Sequence, residues 1–225
     1  ATEFNAIDSA TTVAIDATAV TGLASDDIDD ITTLLTAAAD DTKFEDGSFG
    51  NLATVVVADT SLTATELTDA IDDANTVTGG TDTVFTITAA DTITGSEANF
   101  TALLADETAE QISITDQNLT VNDGEISVTN ANLLNDTTSG TVTATIDAGT
   151  RVDDLKTLEG SNAYTITIDN ADATGSTATE FNTINSATTV AIDATAVTAL
   201  ASDDIEDIKT LLNDATDDTK FEDGS

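Results

Sequence analysis

Short runs in which apolar and polar residues alternate recur along the chain, and most of them end in Asp. Residues 11–16 read TTVAID, 54–59 TVVVAD, 85–91 FTITAAD, 112–116 ISITD, 126–130 ISVTN, 142–147 VTATID, 164–169 YTITID and 188–193 TTVAID. Alternation with a period of two is the pattern of a half-buried strand, and Val, Ile and Thr suit a pleated surface. In YTITID, Ile166 and Ile168 face one side, and Thr165, Thr167 and Asp169 the other.

Between these runs the apolar spacing changes to that of a helix. Ile28, Ile31, Leu34 and Leu35 form one stripe, Leu67 and Ile71 a second, Phe100, Leu103 and Leu104 a third, and Val152, Leu155 and Leu158 a short fourth. Start signals precede several of them. Thr63 to Glu66 and Thr177 to Glu180 match the capping box. Ser25, Ser96 and Ser202 read as N-caps, each followed by acids that suit the positive end of a helix dipole. A strand, a short helix and a similar strand build a parallel sheet, normally with right-handed crossovers. The intervals between run ends go from 14 to 43 residues with a mean near 25. The 14- and 17-residue units are too short for strand plus helix and are expected to be bare strand-and-turn rungs. The fold expected is α/β, a right-handed parallel β/α solenoid of about 25-residue rungs.

A longer repeat encloses the short one. Residues 2–48 and 179–225 align at an offset of 177 with 39 of 47 positions identical. The chain is therefore expected to be one continuous solenoid segment, 1–225, within a 177-residue tandem super-repeat, of which 2–48 and 179–225 are equivalent parts. The first and last runs are both TTVAIDA with no capping segment beyond them. Uncapped solenoid ends expose sheet edges that template pairing, so further copies are expected to join end to end or laterally.

Composition narrows the chemistry. Among 225 residues there are 43 acidic and 5 basic side chains, a formal charge of −38, with no Cys, Pro, Met, His or Trp and 47 Thr. Missing Cys and His remove disulfides, thiolate sites, the commonest general base and the commonest transition-metal ligand. The acidic excess opposes nucleic-acid binding. No apolar run approaches the ~18 residues of a membrane span, and no signal peptide is visible. The absence of Pro fits interior parallel strands, whose N–H groups all serve the ladder. An enzyme is not expected. The acid pairs Asp26–Asp27, Asp72–Asp73, Asp153–Asp154 and Asp203–Asp204 diverge by about 100° on a helix and seldom act together. A polysaccharide site would want Arg, Lys or aromatic residues, which this chain scarcely has.

Two patterns invite a binding role. If the rungs stack in register, the run-end residues Asp16, Asp59, Asp91, Asp116, Asn130, Asp147, Asp169 and Asp193 form a column. Adjacent carboxylates would then repel unless offset by turn hydrogen bonds or by cations. Ca²⁺, which takes roughly six to eight oxygen ligands, is the candidate ion, with Asp16, Asp59, Asp116, Asp147, Asp169 and Asp193 as candidate ligands. The Thr-x-Thr pairs Thr86/Thr88, Thr143/Thr145 and Thr165/Thr167, with Ser113/Thr115 and Ser127/Thr129, give the alternative: an outward hydroxyl face of an adhesive or ice-binding module.

Tandem TVAIDAT and TITID strands alternating with SDDIxDIxxLL helices, in a Thr/Ala/Asp-rich chain without Cys, resemble the giant repetitive surface proteins of marine bacteria and cyanobacteria. Surface-layer proteins, adhesins and extracellular filament proteins belong to this type. The resemblance spans the whole chain. It implies an extracellular or cell-surface location, calcium dependence, contact with a cell surface or glycan, and a structural or adhesive role. The EF-hand loop and the GGxGxD nonapeptide are absent, and the resemblance transfers no individual site residue.

Overall fold

The computed structural model describes residues 1–80 and 82–225, which form two compact units, Ala1–Ile114 and Thr115–Ser225. The described residues contain eight helices and eight strands. In the first unit the order is α1 (Thr2–Ala10), β1 (Gly22–Asp26), α2 (Ile28–Ala38), β2 (Thr54–Val57), β3 (Leu62–Thr63), α3 (Ala64–Thr78), β4 (Val84–Ile87), β5 (Thr92–Ser96) and α4 (Glu97–Thr108). In the second it is β6 (Asn118–Asp123), α5 (Val128–Thr137), β7 (Val142–Thr145), α6 (Val152–Leu155), β8 (Ala163–Thr165), α7 (Ala178–Ala187) and α8 (Ile205–Asp214).

The class is α/β and the pairing parallel. In the first unit β1, β2 and β4 lie side by side, with Gly22 opposite Thr54 and Thr54 opposite Val84, while β3 pairs β5 through Leu62 and Ile93. In the second unit β6, β7 and β8 pair in that order, with Leu119 opposite Val142 and Thr143 opposite Ala163. Partner residues are 20 to 32 positions apart, long enough for the crossover that a parallel pair requires. Each unit has its own core. Phe44, Phe49, Phe85 and Phe100 are buried in the first, and Tyr164, Ile166, Ile168 and Phe181 in the second. Each such side chain removed from water stabilises by roughly 1.5–3 kcal/mol. The faces assigned to YTITID hold: Ile166 and Ile168 are buried, and Thr165, Thr167 and Asp169 exposed.

The helix starts divide. Both capping boxes form, Thr63 with Glu66 and Thr177 with Glu180, and Ser96 caps α4. Ser25 and Ser202 do not cap. The caps are Asp27 and Asp204, whose carboxylates accept from the amides of Asp29 and Glu206. The short rungs are also corrected. ISVTN is not a strand beyond a single bridge at Ile126. Ser127 accepts from the Asn130 amide and starts α5, which buries Val128, Ala131 and Leu134 at helical spacing. ISITD makes one bridge, at Ile112, and the strand that follows it is β6, NLTVND, which the Asp-ended pattern passed over. GLASD, as β1, was passed over likewise.

Candidate functional site

Two of the strand-end carboxylates, Asp16 and Asp193, are spent on local turns. Asp16 accepts from the Thr18 hydroxyl at 2.7 Å and the Thr18 amide at 3.0 Å, which together hold its carboxyl below the usual range. Asp193 repeats the arrangement with Thr195, at 2.8 and 3.1 Å. The same Asp-x-Thr turn appears at Asp40 with Thr42 and at Asp217 with Thr219. The local reason is the Asx-turn, in which a short carboxylate reaches the amide two residues on. Asp116 accepts from the Ser139 hydroxyl at 3.4 Å. The backbone carbonyls of Asp147 and Asp169 close the turns that follow them, at Thr150 and at Asp172 and Ala173.

The register does not stack these residues in one column. Asp193 pairs with Thr167 rather than Asp169, and Ile15, beside Asp16, pairs with Phe44 rather than with the run that ends at Asp59. Residues 54–57 instead lie against β1. Asp59 reaches across to α2, where it accepts from the Ile28 amide at 2.7 Å. Burial and the neighbouring Asp27 carboxylate push the Asp59 carboxyl above its ordinary range. Asp106, on α4, is raised in the same way by burial and by Asp72. Neither juxtaposition was legible, because each joins acids from different rungs. Among the described residues no three acids converge as a metal-ligating group. One oxygen-rich feature is a cleft of about 370 Å³ in the second unit, lined by Asp147 and Asp154 with Ser127, Thr129, Thr150 and Thr157.

The basic side chains are dispersed among acids. Lys43 pairs with Asp8 at 3.3 Å, Lys209 with Glu206 at 3.1 Å and Lys220 with Asp214 at 3.4 Å. Lys156 bridges Asp153 and Glu180 at 2.7 and 2.6 Å, and those two carboxylates raise its pKa. The Thr-x-Thr pairs form a short hydroxyl patch. Thr145 lies opposite Thr165, but Thr143 meets Ala163, and Thr86 in the first unit meets Val56. Thr129 has left the strand set for α5.

Below that patch in the second unit runs a buried polar ladder. Asn162 accepts from the Val142 amide at 2.9 Å and donates to Asn135 at 2.9 Å and to the Tyr164 hydroxyl at 3.1 Å. Tyr164 donates in turn to the Ala131 carbonyl at 3.3 Å. Burial pushes the Tyr164 phenol up to about 12, so it serves as a neutral hydrogen-bonding group.

An apolar opening also lies in the second unit. It is a groove of about 370 Å³ lined by Phe181, Ala194, Val197, Leu200, Leu211 and Phe221 among others. Sequence reading noted these residues only as part of a repeat. Their identity with residues of the first module is the signal that singles them out. No helix among the described residues is long and apolar enough to cross a membrane. No protein-family model, curated protein or solved structure matches the chain.

Proposed function

We propose that this chain is a structural piece of an extracellular fibre, surface layer or adhesin stalk. In this reading each unit is built as rungs of a right-handed parallel β/α solenoid, and copies associate end to end or side by side. The observation that carries it is the combination of parallel pairing at 20- to 32-residue intervals with a 47-residue module that recurs 177 residues on. Such a chain lengthens by adding rungs, and its stability sums over neighbouring contacts. The work is mechanical, and the residues that do it are the apolar ladder and the buried hydrogen bonds rather than a reactive cleft.

The acidic coat suits this work. It keeps separate rods apart in solution, and divalent cations are proposed to bridge it. The cleft that holds Asp147 and Asp154 among four hydroxyls offers oxygen donors of the kind Ca²⁺ accepts. Negative-stain imaging with sedimentation velocity tests the structural reading. At roughly 100 μM protein with millimolar Ca²⁺, fibres, sheets or a ladder of oligomers are expected. A single monomeric species across that range would overturn it.

A further inference from the structure

The near-identical modules 2–48 and 179–225 sit in different surroundings. Internally they agree. Ile15 bridges Phe44 as Ile192 bridges Phe221. The Ala17 amide donates to Ser48 Oγ as the Ala194 amide donates to Ser225 Oγ, both at 3.1 Å. The Thr2 amide donates to Asp26 as the Thr179 amide donates to Asp203, both at 2.7 Å.

In the first module one face is covered by residues 49–74. β2 adds to β1, with Leu23 opposite Val55, and the Phe49 ring packs edge-on to Phe44 at 5.5 Å. The Phe49 amide donates to the Ala17 carbonyl, and the Asn51 side chain to the Thr18 carbonyl. α3 lies along α2, where the Thr36 hydroxyl donates to Asp73 at 3.0 Å. Under this cover Leu23, Ile28 and Leu35 are 4%, 3% and 0% exposed. Their counterparts Leu200, Ile205 and Leu212 are 40%, 64% and 63% exposed. Residues 199–203, which read ALASD against GLASD, carry no strand pairing, and α8 buries none of its residues where α2 buries five. The eight substitutions between the modules leave Leu200, Ile205, Ile208, Leu211, Leu212, Ala215 and Phe221 the same as their counterparts.

We propose that this open face of the second module, residues 197–203 with α8, binds a chain segment of the pattern of residues 49–74: an aromatic loop, a parallel strand laid on residues 199–203, and a helix laid across α8. The first module is the template for the occupant, because the same apolar residues are there buried by such a segment. The inference deepens the structural reading above, in that the segment belongs to a further repeat joined to this module, since residues 49–74 of a separate copy already cover that copy's own first module. One difference tunes the fit. Ala199 stands where the first module has Gly22, and a Cβ at Gly22 would lie 2.7 Å from the Thr54 hydroxyl. The incoming residue at that position must turn its hydroxyl aside or be smaller.

The full chain is titrated with a fluorescently labelled synthetic peptide of the sequence of residues 49–80, and a second chain carries that sequence directly after Ser225. In the extended chain the segment is tethered, so it need not overcome the entropy of bimolecular docking. Expected are a higher melting temperature and at least about tenfold slower hydrogen exchange at the amides of residues 199–203, the loss expected of a newly paired strand. Leu212→Asp, at an exposed position that leaves the free chain folded, should abolish both effects and any saturable peptide binding. If residues 199–203 exchange as fast in the extended chain as in the parent, or if Leu212→Asp leaves the effects intact, the proposal is overturned. The two readings separate cleanly. A parent chain that stays monomeric while the extended chain is protected defeats the polymer and keeps the face. Assembly of the parent without protection of residues 199–203 does the reverse.

Discussion

Asn162 shows how much one side chain can hold in a chain rich in Thr, Ala and Asp. It is 4% exposed and spends its amide on three elements: the start of β7 through the Val142 amide, α5 through Asn135, and β8, which follows it, through the Tyr164 hydroxyl. An amide both donates and accepts, so no apolar residue of the same shape replaces it without leaving partners unpaired in a dry interior. Gly160 fits the same junction. It adopts a positive φ of 79°, and a Cβ there would meet the Asn135 and Asn162 side chains. Asn162→Ala is expected to cost about 1–3 kcal/mol, since it orphans the buried Val142 amide and removes the donor of the half-buried Asn135 side-chain oxygen. Urea unfolding followed by far-ultraviolet circular dichroism checks it. A midpoint within error of the parent would mean that water enters and replaces the ladder.

At the scale of elements, α7 is the best-anchored helix start. Its capping box is closed by Thr177 and Glu180, and the second Glu180 oxygen accepts from Lys156, just past α6. Lys156 and the Thr177 amide hold the Glu180 carboxyl below its ordinary range. A carboxyl with a depressed folded pKa contributes stability above its unfolded value near pH 4.3, and that stability is lost as pH falls through the lower folded value. Glu180→Gln is therefore expected to lower the melting temperature by about 2–4 °C at pH 7, and parent and variant should converge once the pH falls below that lowered value. Scanning calorimetry at a series of pH values reads it; a difference that persists at low pH would assign the effect to packing. This box was legible, as was the one at Thr63, because Thr-x-x-Glu before an apolar run is a local signal. YTITID and VTATID were legible because their alternation coincides with burial. β1 and ISVTN were not. GLASD alternates too weakly to stand out, and the shared LASD lies in a strand as part of β1 and in none at 200–203, where no neighbouring strand pairs with it. In ISVTN the β-prone Ile, Val and Thr are overruled by the Ser127 cap and by the apolar spacing through Leu134. The acid column failed for the same cause. It assumed that runs spaced 14 to 43 residues apart stack end over end in register, whereas observed partners lie 20 to 32 residues apart, so run ends do not coincide.

Across the whole molecule the dominant electrostatic fact is the charge of −38, against which four lysines make isolated pairs. Exposed pairs of that kind contribute little each, so most of the like-charge repulsion is left to the solvent. Asp59 and Asp106 mark where crowding is greatest: burial and a second carboxylate raise both. A raised folded pKa means that protonation stabilises, so these two groups add stability as pH falls from neutral toward their unfolded value near pH 3.9, opposite in sign to Glu180. Screening should act on the same repulsion. Raising NaCl from 10 mM to 500 mM shortens the Debye length from roughly 30 Å to about 4 Å, and the melting temperature is expected to climb by several degrees. Calcium separates screening from binding. If carboxylates such as Asp147 and Asp154 hold the ion with their neighbouring hydroxyls, about 5 mM CaCl2 should raise the melting temperature beyond NaCl of equal ionic strength. EDTA should reverse the gain, and Asp147→Asn with Asp154→Asn should remove part of it, because a site that binds only the folded chain stabilises it by mass action. Equal melting temperatures in the two salts would leave screening as the whole effect, and the divalent bridge between coats would fall with the calcium site.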